Sequence, residues 1–188
     1  MTMKNKYVWR SRISEHQFRQ IVRLFSVDLD ASQIARLTSL SRNAVNRYLK
    51  ANRLRLVEYC DAQSPFSGEV EVDESFFGAR RIKGKRGRGA AGKVPVFGIL
   101  KRGGKVYTKV IPDVRSTTLM RIMEQKIVPD SIVYTDSLQS YNVLDVSDFH
   151  HVRVNHSYLF AEGRNHINGI ENFWNQAKRH LRRFNGIP

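Results

Sequence analysis

The sequence predicts a small all-α domain followed by an α/β domain built on one mixed sheet. Two observations carry this prediction. Apolar residues recur at helical spacing from Phe18 to Leu49, and beyond Gln63-Ser64-Pro65 they alternate in the manner of strands. We therefore place the domains at residues 1–65 and 66–188. The hydrophobic fraction of 41% is ordinary for a globular protein, so both parts are expected to fold.

The chain is strongly basic, with a net charge of +15 and a pI near 10.4. Both predicted domains are positive, with 12 basic and 5 acidic residues in the first and 20 and 12 in the second. Such a charge favours a polyanionic partner, since each neutralised phosphate releases condensed counterions. The sequence has no apolar run of membrane-spanning length and no signal peptide, so we expect a cytoplasmic, nucleoid-associated protein without a membrane partner. The single cysteine, Cys60, excludes an internal disulfide and a cysteine-based zinc site.

Three helices are predicted in the first domain: one capped by Ser14, a second beginning near Ser32 and a third capped by Ser41. The second and third helices, joined by a tight turn, match a helix-turn-helix whose shared core would contain Ile34, Leu37, Leu40, Val45 and Leu49. In that geometry the third helix enters the DNA major groove by its N-terminal end. The residues that would face DNA are Ser41, Arg42, Asn43, Asn46 and Arg47. A small helical bundle with a polar surface is the alternative.

In the second domain the sequence predicts three strands, followed by alternating helices and strands. The elements in order are strands at 69–77, 94–100 and 106–111, a helix capped by Ser116, a strand from Ile132 that ends at Asp136, a helix at 138–144, a strand at 151–154 and a helix from about 166 to 183. A hairpin turn at 101–104 joins the second and third strands. This order is how an RNase H-like mixed sheet flanked by helices is built, although other α/β arrangements also fit the pattern.

A glycine-rich stretch at residues 87–93 imitates two nucleotide-binding motifs. Both motifs need a following helix, whereas a strand begins here at Val94, so we reject both. The sequence instead predicts a flexible basic loop, because 11 Lys or Arg residues and no carboxylate lie between Glu74 and Asp113. The side chains expected to contact DNA phosphates are Arg80, Arg81, Lys83, Lys85, Arg86 and Arg88. A solvated hairpin loop is the alternative.

Three acidic residues occupy positions that suit catalysis. Asp73 lies in mid-strand on the face opposite Val70 and Val72, where a carboxylate is unfavourable for packing, and Asp136 ends a buried strand. Glu171 lies on a polar helical stripe with Asn168, Asn175, Lys178 and Arg182, separate from an apolar stripe of Ile167, Ile170, Trp174, Ala177, Leu181 and Phe184. Three carboxylates from separate segments suit Mg²⁺ or Mn²⁺, and two such ions about 4 Å apart can drive in-line phosphoryl displacement. Lys178 could neutralise a phosphate near the scissile bond.

The segments Val72–Gly78, Tyr134–Asp136 and His166–Trp174, with Lys178, resemble the DDE transposases of bacterial insertion sequences, most closely the ISXO-type group. The 34 residues between Asp136 and Glu171 fit the usual spacing of the second and third acids. The resemblance implies an RNase H-like domain in which Asp73, Asp136 and Glu171 bind two divalent metal ions, with Lys178 assisting catalysis. It further implies a homo-oligomer that nicks inverted-repeat ends and joins their 3′ ends to target DNA without a covalent enzyme–DNA intermediate.

Two features depart from the usual family pattern. Related subgroups carry Asn or His in place of the third acid, so His166 or Asn168 could share that role. The chain stops at residues 186–188, soon after the catalytic helix, which predicts a C-terminally truncated copy. The alternatives to a transposase are a non-catalytic helix-turn-helix regulator or inactive remnant, and a plain RNase H-like nuclease or resolvase. The spacing of His150, His151, His156 and His166 fits no common zinc site, so these are expected to be structural or DNA-facing.

Overall fold

The computed structural model describes residues 5–62, 65–78, 93–154 and 166–184. Contacts divide the chain into two compact units, Met1–Ala62 and Gln63–Pro188, and each unit is described by itself. Over these ranges no helix combines the length and the apolarity that a membrane span needs.

The first unit is built from the helices α1 (Glu15–Ser26), α2 (Ala31–Thr38) and α3 (Arg42–Asp61). Ser14 and Ser41 cap α1 and α3 as predicted, because their hydroxyl oxygens accept hydrogen bonds from backbone N–H groups three residues later. Asp30 caps α2 and accepts from two backbone N–H groups. The amphipathic faces meet in one core formed by Ile13, Ile21, Ile34, Val45, Tyr48 and Leu49.

Helix α3 continues from its predicted cap to Asp61, since no glycine or proline interrupts it. One prediction for this unit was wrong. Leu37 is 63% exposed and is not part of the core. In the eight-residue α2 the buried face is formed by Ile34 and Thr38, one turn apart, and the Thr38 hydroxyl donates to the Ile34 carbonyl.

The second unit contains a five-stranded mixed sheet with the strand order β3-β2-β1-β4-β5. The strands are β1 (Glu69–Phe77), β2 (Val94–Lys101), β3 (Val106–Val110), β4 (Ile132–Thr135) and β5 (His150–Arg153). Strands β2 and β3 pair antiparallel, as the hairpin turn at 101–104 predicted, and β1 pairs antiparallel with β2, whereas β4 runs parallel to β1 and β5 parallel to β4. Strand β1 is therefore central, with an antiparallel neighbour on one side and a parallel neighbour on the other.

Helices cover both faces of this sheet. On one face α4 (Ser116–Lys126) and a 3₁₀ helix at Gln139–Val146 enclose the main core, which includes Val70, Val72, Phe97, Leu119 and Tyr141. On the other face α5 (Asn168–Leu181) packs Ile170 and Trp174 against a second cluster that includes Tyr134 and Leu100. A short 3₁₀ turn, Arg182–Phe184, follows α5. The strict alternation along β1 thus divides its side chains between two different helical layers.

Three local predictions for this unit need correction. Ser116 begins α4 but does not cap it; Asp113 accepts from the Arg115 N–H and the Thr118 hydroxyl instead. The segment predicted as a helix at 138–144 is 3₁₀. The apolar stripe of α5 is buried only in its first half, since Leu181 is 46% exposed: α5 extends past the part of the sheet that Ile170 and Trp174 cover.

Candidate active site

Asp73 lies on the face of β1 that α5 covers. Its cross-strand partner in β2 is Gly98, and partners in an antiparallel pair point to the same face. A Cβ at Gly98 would lie only 2.5 Å from Cζ2 of Trp174, so the indole ring of α5 rests directly on the glycine beside Asp73. The absence of a side chain at Gly98 lets α5 approach the sheet at the level of this aspartate.

Asp136 follows the last residue of β4 on the neighbouring parallel strand. The register pairs Val70 with Val133 and Glu71 with Tyr134, so its continuation by two residues brings Asp136 level with Asp73. The local backbone holds the carboxylate, because Oδ1 of Asp136 accepts from the Leu138 N–H at 3.0 Å.

The backbone at Asp136 is also supported from β5. The Thr135 hydroxyl donates to the Asp136 carbonyl and lies 2.8 Å from Nε2 of His151. Nδ1 of the same imidazole contacts Asp145, which also accepts from Arg153 at 2.9 Å. The hydrogen bond with His151 lowers the pKa of Asp145 below its usual value. This chain of contacts fixes the carboxyl end of β4.

Helix α5 runs along β1 and supplies the third acid. Its first turn lies at Glu71, where a Cβ on Gly169 would meet the Glu71 carboxylate at 2.8 Å. At the other end, Nζ of Lys178 lies 5.8 Å from the centre of the Phe77 ring. Glu171 is therefore carried on the turn of α5 that passes beside Asp73.

The three predicted acids line one cleft of about 570 Å³. Its other lining residues include Glu74, Lys93, Asn175 and Lys178. Burial, followed by the negative charges of Glu74, Asp136 and Glu171, raises the pKa of Asp73 to about 7. The structure thus gathers mutually repelling carboxylates in a partly buried cleft with a lysine at the same opening.

The carboxylates are not preassembled around a common cation position. Within the parts of the chain that the structure describes, no group of three or more His, Cys, Asp or Glu side chains is arranged to hold a metal ion. The three acids therefore line one cleft, but their side chains do not form a metal-coordination site.

The two residues that could share the role of the third acid lie elsewhere. His166 borders a separate pocket of about 650 Å³, and its Nδ1 lies 3.7 Å from the Glu71 carboxylate. Asn168 is exposed at the first residue of α5. Only Glu171, of the three candidates, lines the cleft with Asp73 and Asp136.

The residues predicted to face DNA in the first unit lie together at the start of α3. The side chains of Ser41, Arg42, Asn43, Asn46 and Arg47 are all exposed there. The six cations of the predicted basic loop, Arg80, Arg81, Lys83, Lys85, Arg86 and Arg88, lie outside the described residues, as does His156.

Sequence reasoning missed three charged residues near the acids, of which Glu71 and Glu74 are buried and Arg102 is partly buried. Glu74 faces the main core, where its Oε2 accepts from the Tyr141 hydroxyl at 3.0 Å, and burial together with the charges of Glu74, Asp73 and Asp136 raises the pKa of Tyr141. Glu71 is 1% exposed and Arg102 pairs with it at 3.0 Å. One signal was available: Glu71 shares the strand face of Asp73, which alternation alone indicates.

Comparison with known proteins identifies the second unit. The family model of the ISXO2-like transposase domain matches residues 65–187, well over half of the chain. A protein of Haemophilus influenzae described as an uncharacterized transposase-like protein is 66% identical over 84 residues, which make up 45% of this chain and 68% of that relative. A match of this extent, on the unit that gathers the acids, establishes that the chain belongs to the ISXO2-like transposase family of insertion sequences.

Proposed function

We propose that this transposase-family protein is an active, metal-dependent DNA transposase with an RNase H-like catalytic domain. One observation carries the proposal: Asp73 in β1, Asp136 just after the parallel strand β4, and Glu171 in the helix that packs on β1 and β2 line one cleft. The sheet order supports an RNase H-like arrangement, because β3, β2 and β1 pair antiparallel and β4 and then β5 continue the sheet parallel to β1. The proposed activity is cleavage at inverted-repeat ends and transfer of the 3′ ends to target DNA.

The donor set of the cleft fits a hard divalent cation. Three carboxylates offer only oxygen ligands, which Mg²⁺ and Mn²⁺ prefer. Burial and then the negative charges of the neighbouring acids raise the pKa of Asp73, and a cation would offset those charges. When two ions are bound, they supply activation of a water or 3′-hydroxyl and stabilisation of the leaving oxygen. Asp73, Asp136 and Glu171 are the residues that would hold them.

The remaining residues of the cleft position the DNA. Lys178 is exposed two turns beyond Glu171 on α5, so its ammonium can pair with a phosphate that enters the cleft. Asn175, one turn beyond Glu171, can donate a hydrogen bond to a neighbouring phosphate oxygen. These contacts orient the scissile phosphate toward the three acids.

The first unit supplies recognition of the DNA ends in this proposal. The exposed start of α3 carries two arginines and two asparagines, which suit hydrogen bonds to base edges and phosphates in the major groove. The basic residues predicted to contact DNA at positions 80–88 would add phosphate contacts that carry no sequence information. Binding as a homo-oligomer would bring two ends together for joining to one target.

The proposal is tested with labelled DNA carrying the inverted-repeat ends, a plasmid target and Mg²⁺. The wild-type protein should nick the ends and join them to the plasmid. Asp136→Asn should bind the ends with unchanged affinity, because asparagine has nearly the same shape as aspartate. It should cut them at least about 100-fold more slowly, because the charged metal ligand is lost. Equal cutting by Asp136→Asn and wild type would contradict the proposal.

Two further outcomes identify the rival functions. Sequence-specific binding without any strand breakage, with Mg²⁺ or Mn²⁺, would indicate a regulator that uses only its helix-turn-helix. Cleavage without joining would indicate a nuclease or resolvase.

Arg47→Ala, at the exposed start of α3, should weaken end binding, and Arg55→Ala, farther along the same helix and also exposed, is the matched control.

A further inference from the structure

We propose that Glu71 and Arg102 are positioning residues that hold the first turn of α5, and thereby set where Glu171 stands relative to Asp73. The role rests on the proposed function, because it concerns the assembly of the same three acids. Neither residue lines the cleft of the acids; both border the separate pocket next to the start of α5.

Glu71 links β1 directly to α5. It is 1% exposed, and its Oε2 accepts from the backbone N–H of Ile170 at 2.9 Å. The first N–H groups of a helix have no partner within the helix, and a carboxylate there is also favoured by the helix dipole. One side chain of the central strand thus caps the helix that carries Glu171.

Arg102 fixes the Glu71 carboxylate and the chain just before α5. Its Nε donates to Oε1 of Glu71 at 3.0 Å, and its Nη2 donates to the carbonyl of His166. Its Nη1 donates to Oε2 of Glu69 at 2.7 Å, and its guanidinium lies 3.6 Å from the centre of the Tyr134 ring. The planar guanidinium can make these contacts at one time because its donors point in fixed directions.

The turn that carries Arg102 is itself attached to the sheet. The backbone N–H of Arg102 donates to the carbonyl of Glu69 at 3.0 Å, and the Tyr134 hydroxyl donates to Oε2 of Glu69 at 3.1 Å. Strands β1 and β4, which bear Asp73 and Asp136, therefore both contact the group that anchors α5.

Gly169 lets the contact between Glu71 and α5 close. A Cβ at this position would stand 2.8 Å from Oε2 of Glu71 and 3.2 Å from Cδ2 of Leu100. The carboxylate is held by Arg102 and by the Ile170 N–H, so it cannot withdraw without breaking those bonds. A side chain at 169 would push the first turn of α5 away from β1.

The sequence positions connect this anchor to the acids. Ile170 immediately precedes Glu171, and Glu71 precedes Asp73 by two residues on the same face of β1. A displacement of the first turn of α5 therefore moves Glu171 relative to Asp73. A buried ion pair on its own is weak evidence for stability, so positioning is the contribution that this geometry supports.

The experiment compares Gly169→Ala and Arg102→Lys in the full chain, with Gly104→Ala and Arg121→Lys as controls. Gly104 lies in an open turn, with no atom nearer than 3.6 Å to an added Cβ, and Arg121 is exposed on α4. Binding of Mn²⁺ itself is measured by electron paramagnetic resonance, and the melting temperature by circular dichroism. The clash at residue 169 should lower the Tm of Gly169→Ala even though a helix favours alanine over glycine, so Mn²⁺ binding is compared at a temperature where every variant is folded.

We expect Gly169→Ala and Arg102→Lys to weaken Mn²⁺ binding by about 10-fold to 100-fold, which is the usual effect of losing a residue that orients metal ligands. Both controls should bind Mn²⁺ like the wild type. Unchanged Mn²⁺ affinity in both test variants would overturn the positioning role, whether or not the Tm falls. Equal loss of affinity in the controls would overturn it as well.

The fluorescence of Trp174 separates failure of this inference from failure of the proposed function. The chain has two tryptophans, and Trp9 is 76% exposed whereas Trp174 is 4% exposed on α5. In a Trp9→Phe background, Gly169→Ala and Arg102→Lys should shift the emission to longer wavelength and increase quenching by acrylamide. If the wild type binds no Mn²⁺, the proposed function fails, yet a shift still supports the anchor and an unchanged spectrum overturns it.

Discussion

At the scale of single residues, Asp73 stands where the folded protein disfavours its negative charge. Burial and three neighbouring acids raise its pKa to about 7 from a usual value of 3.8. An acid whose pKa is raised on folding destabilises the folded state as its proton is lost, so this cost grows as the pH rises from about 4 to about 7 and persists above that. In the proposed function, a bound cation would offset this cost.

Asp73→Asn should therefore stabilise the metal-free protein at high pH. In EDTA at pH 8 we expect its Tm to exceed that of the wild type by more than about 2 °C, because an amide carries no charge to repel the other acids. The difference should shrink as the pH falls from about 7 to about 4 and disappear below about pH 3, where the carboxyl is protonated in both the folded and the unfolded state. Glu124→Gln, exposed on α4, is the control and should show no such pattern. A Tm for Asp73→Asn at or below that of the wild type at pH 8 would contradict the electrostatic account.

At the scale of elements, the site depends on how closely α5 packs on β1 and β2. The contact is closest at Gly98, where Cζ2 of Trp174 occupies the space that a Cβ would need. The same indole ring meets Phe77 edge-on, with ring centres 5.9 Å apart. The ring is held from two sides and cannot easily move to admit a methyl group.

Gly98→Ala should accordingly destabilise the second unit by about 1–3 kcal/mol through overpacking. Gly104→Ala, in an open turn, is the matched control and should stay within about 0.5 kcal/mol of the wild type. Urea denaturation followed by circular dichroism gives both values. A Gly98→Ala protein as stable as Gly104→Ala would show that α5 does not lie against β2 as described.

Elements with strong periodicity were predictable from the sequence, and buried charges were not. The caps at Ser14 and Ser41 could be predicted because a single side chain forms each cap. Strand β1 could be predicted because apolar and polar residues alternate between its two faces. Glu71 and Arg102 were not: a glutamate in a strand and an arginine in a hairpin turn usually face water, and only tertiary contacts reveal that they pair under α5. The sequence alone does not show that Glu171 lies beside Asp73, because that depends on the strand order of the sheet that α5 packs against.

At the scale of the whole molecule, the positive charge is shared by both units. The first unit presents it on the exposed start of α3, and the second carries Lys178 at the opening of the cleft of acids. Acids repel a phosphate backbone, so in the proposed function the cations beside the cleft bring the scissile phosphate near the acids. The charge of +15 thus serves the same proposed chemistry as the three carboxylates.

X-ray diffraction from crystals grown with Mn²⁺ and end DNA tests the central claim most directly. The account predicts anomalous peaks from two ions about 4 Å apart, bounded by carboxylate oxygens of Asp73, Asp136 and Glu171. Loss of these peaks in Asp136→Asn crystals would confirm that the acids hold the ions. Three carboxylates that stay apart with DNA bound, and no manganese between them, would contradict the account.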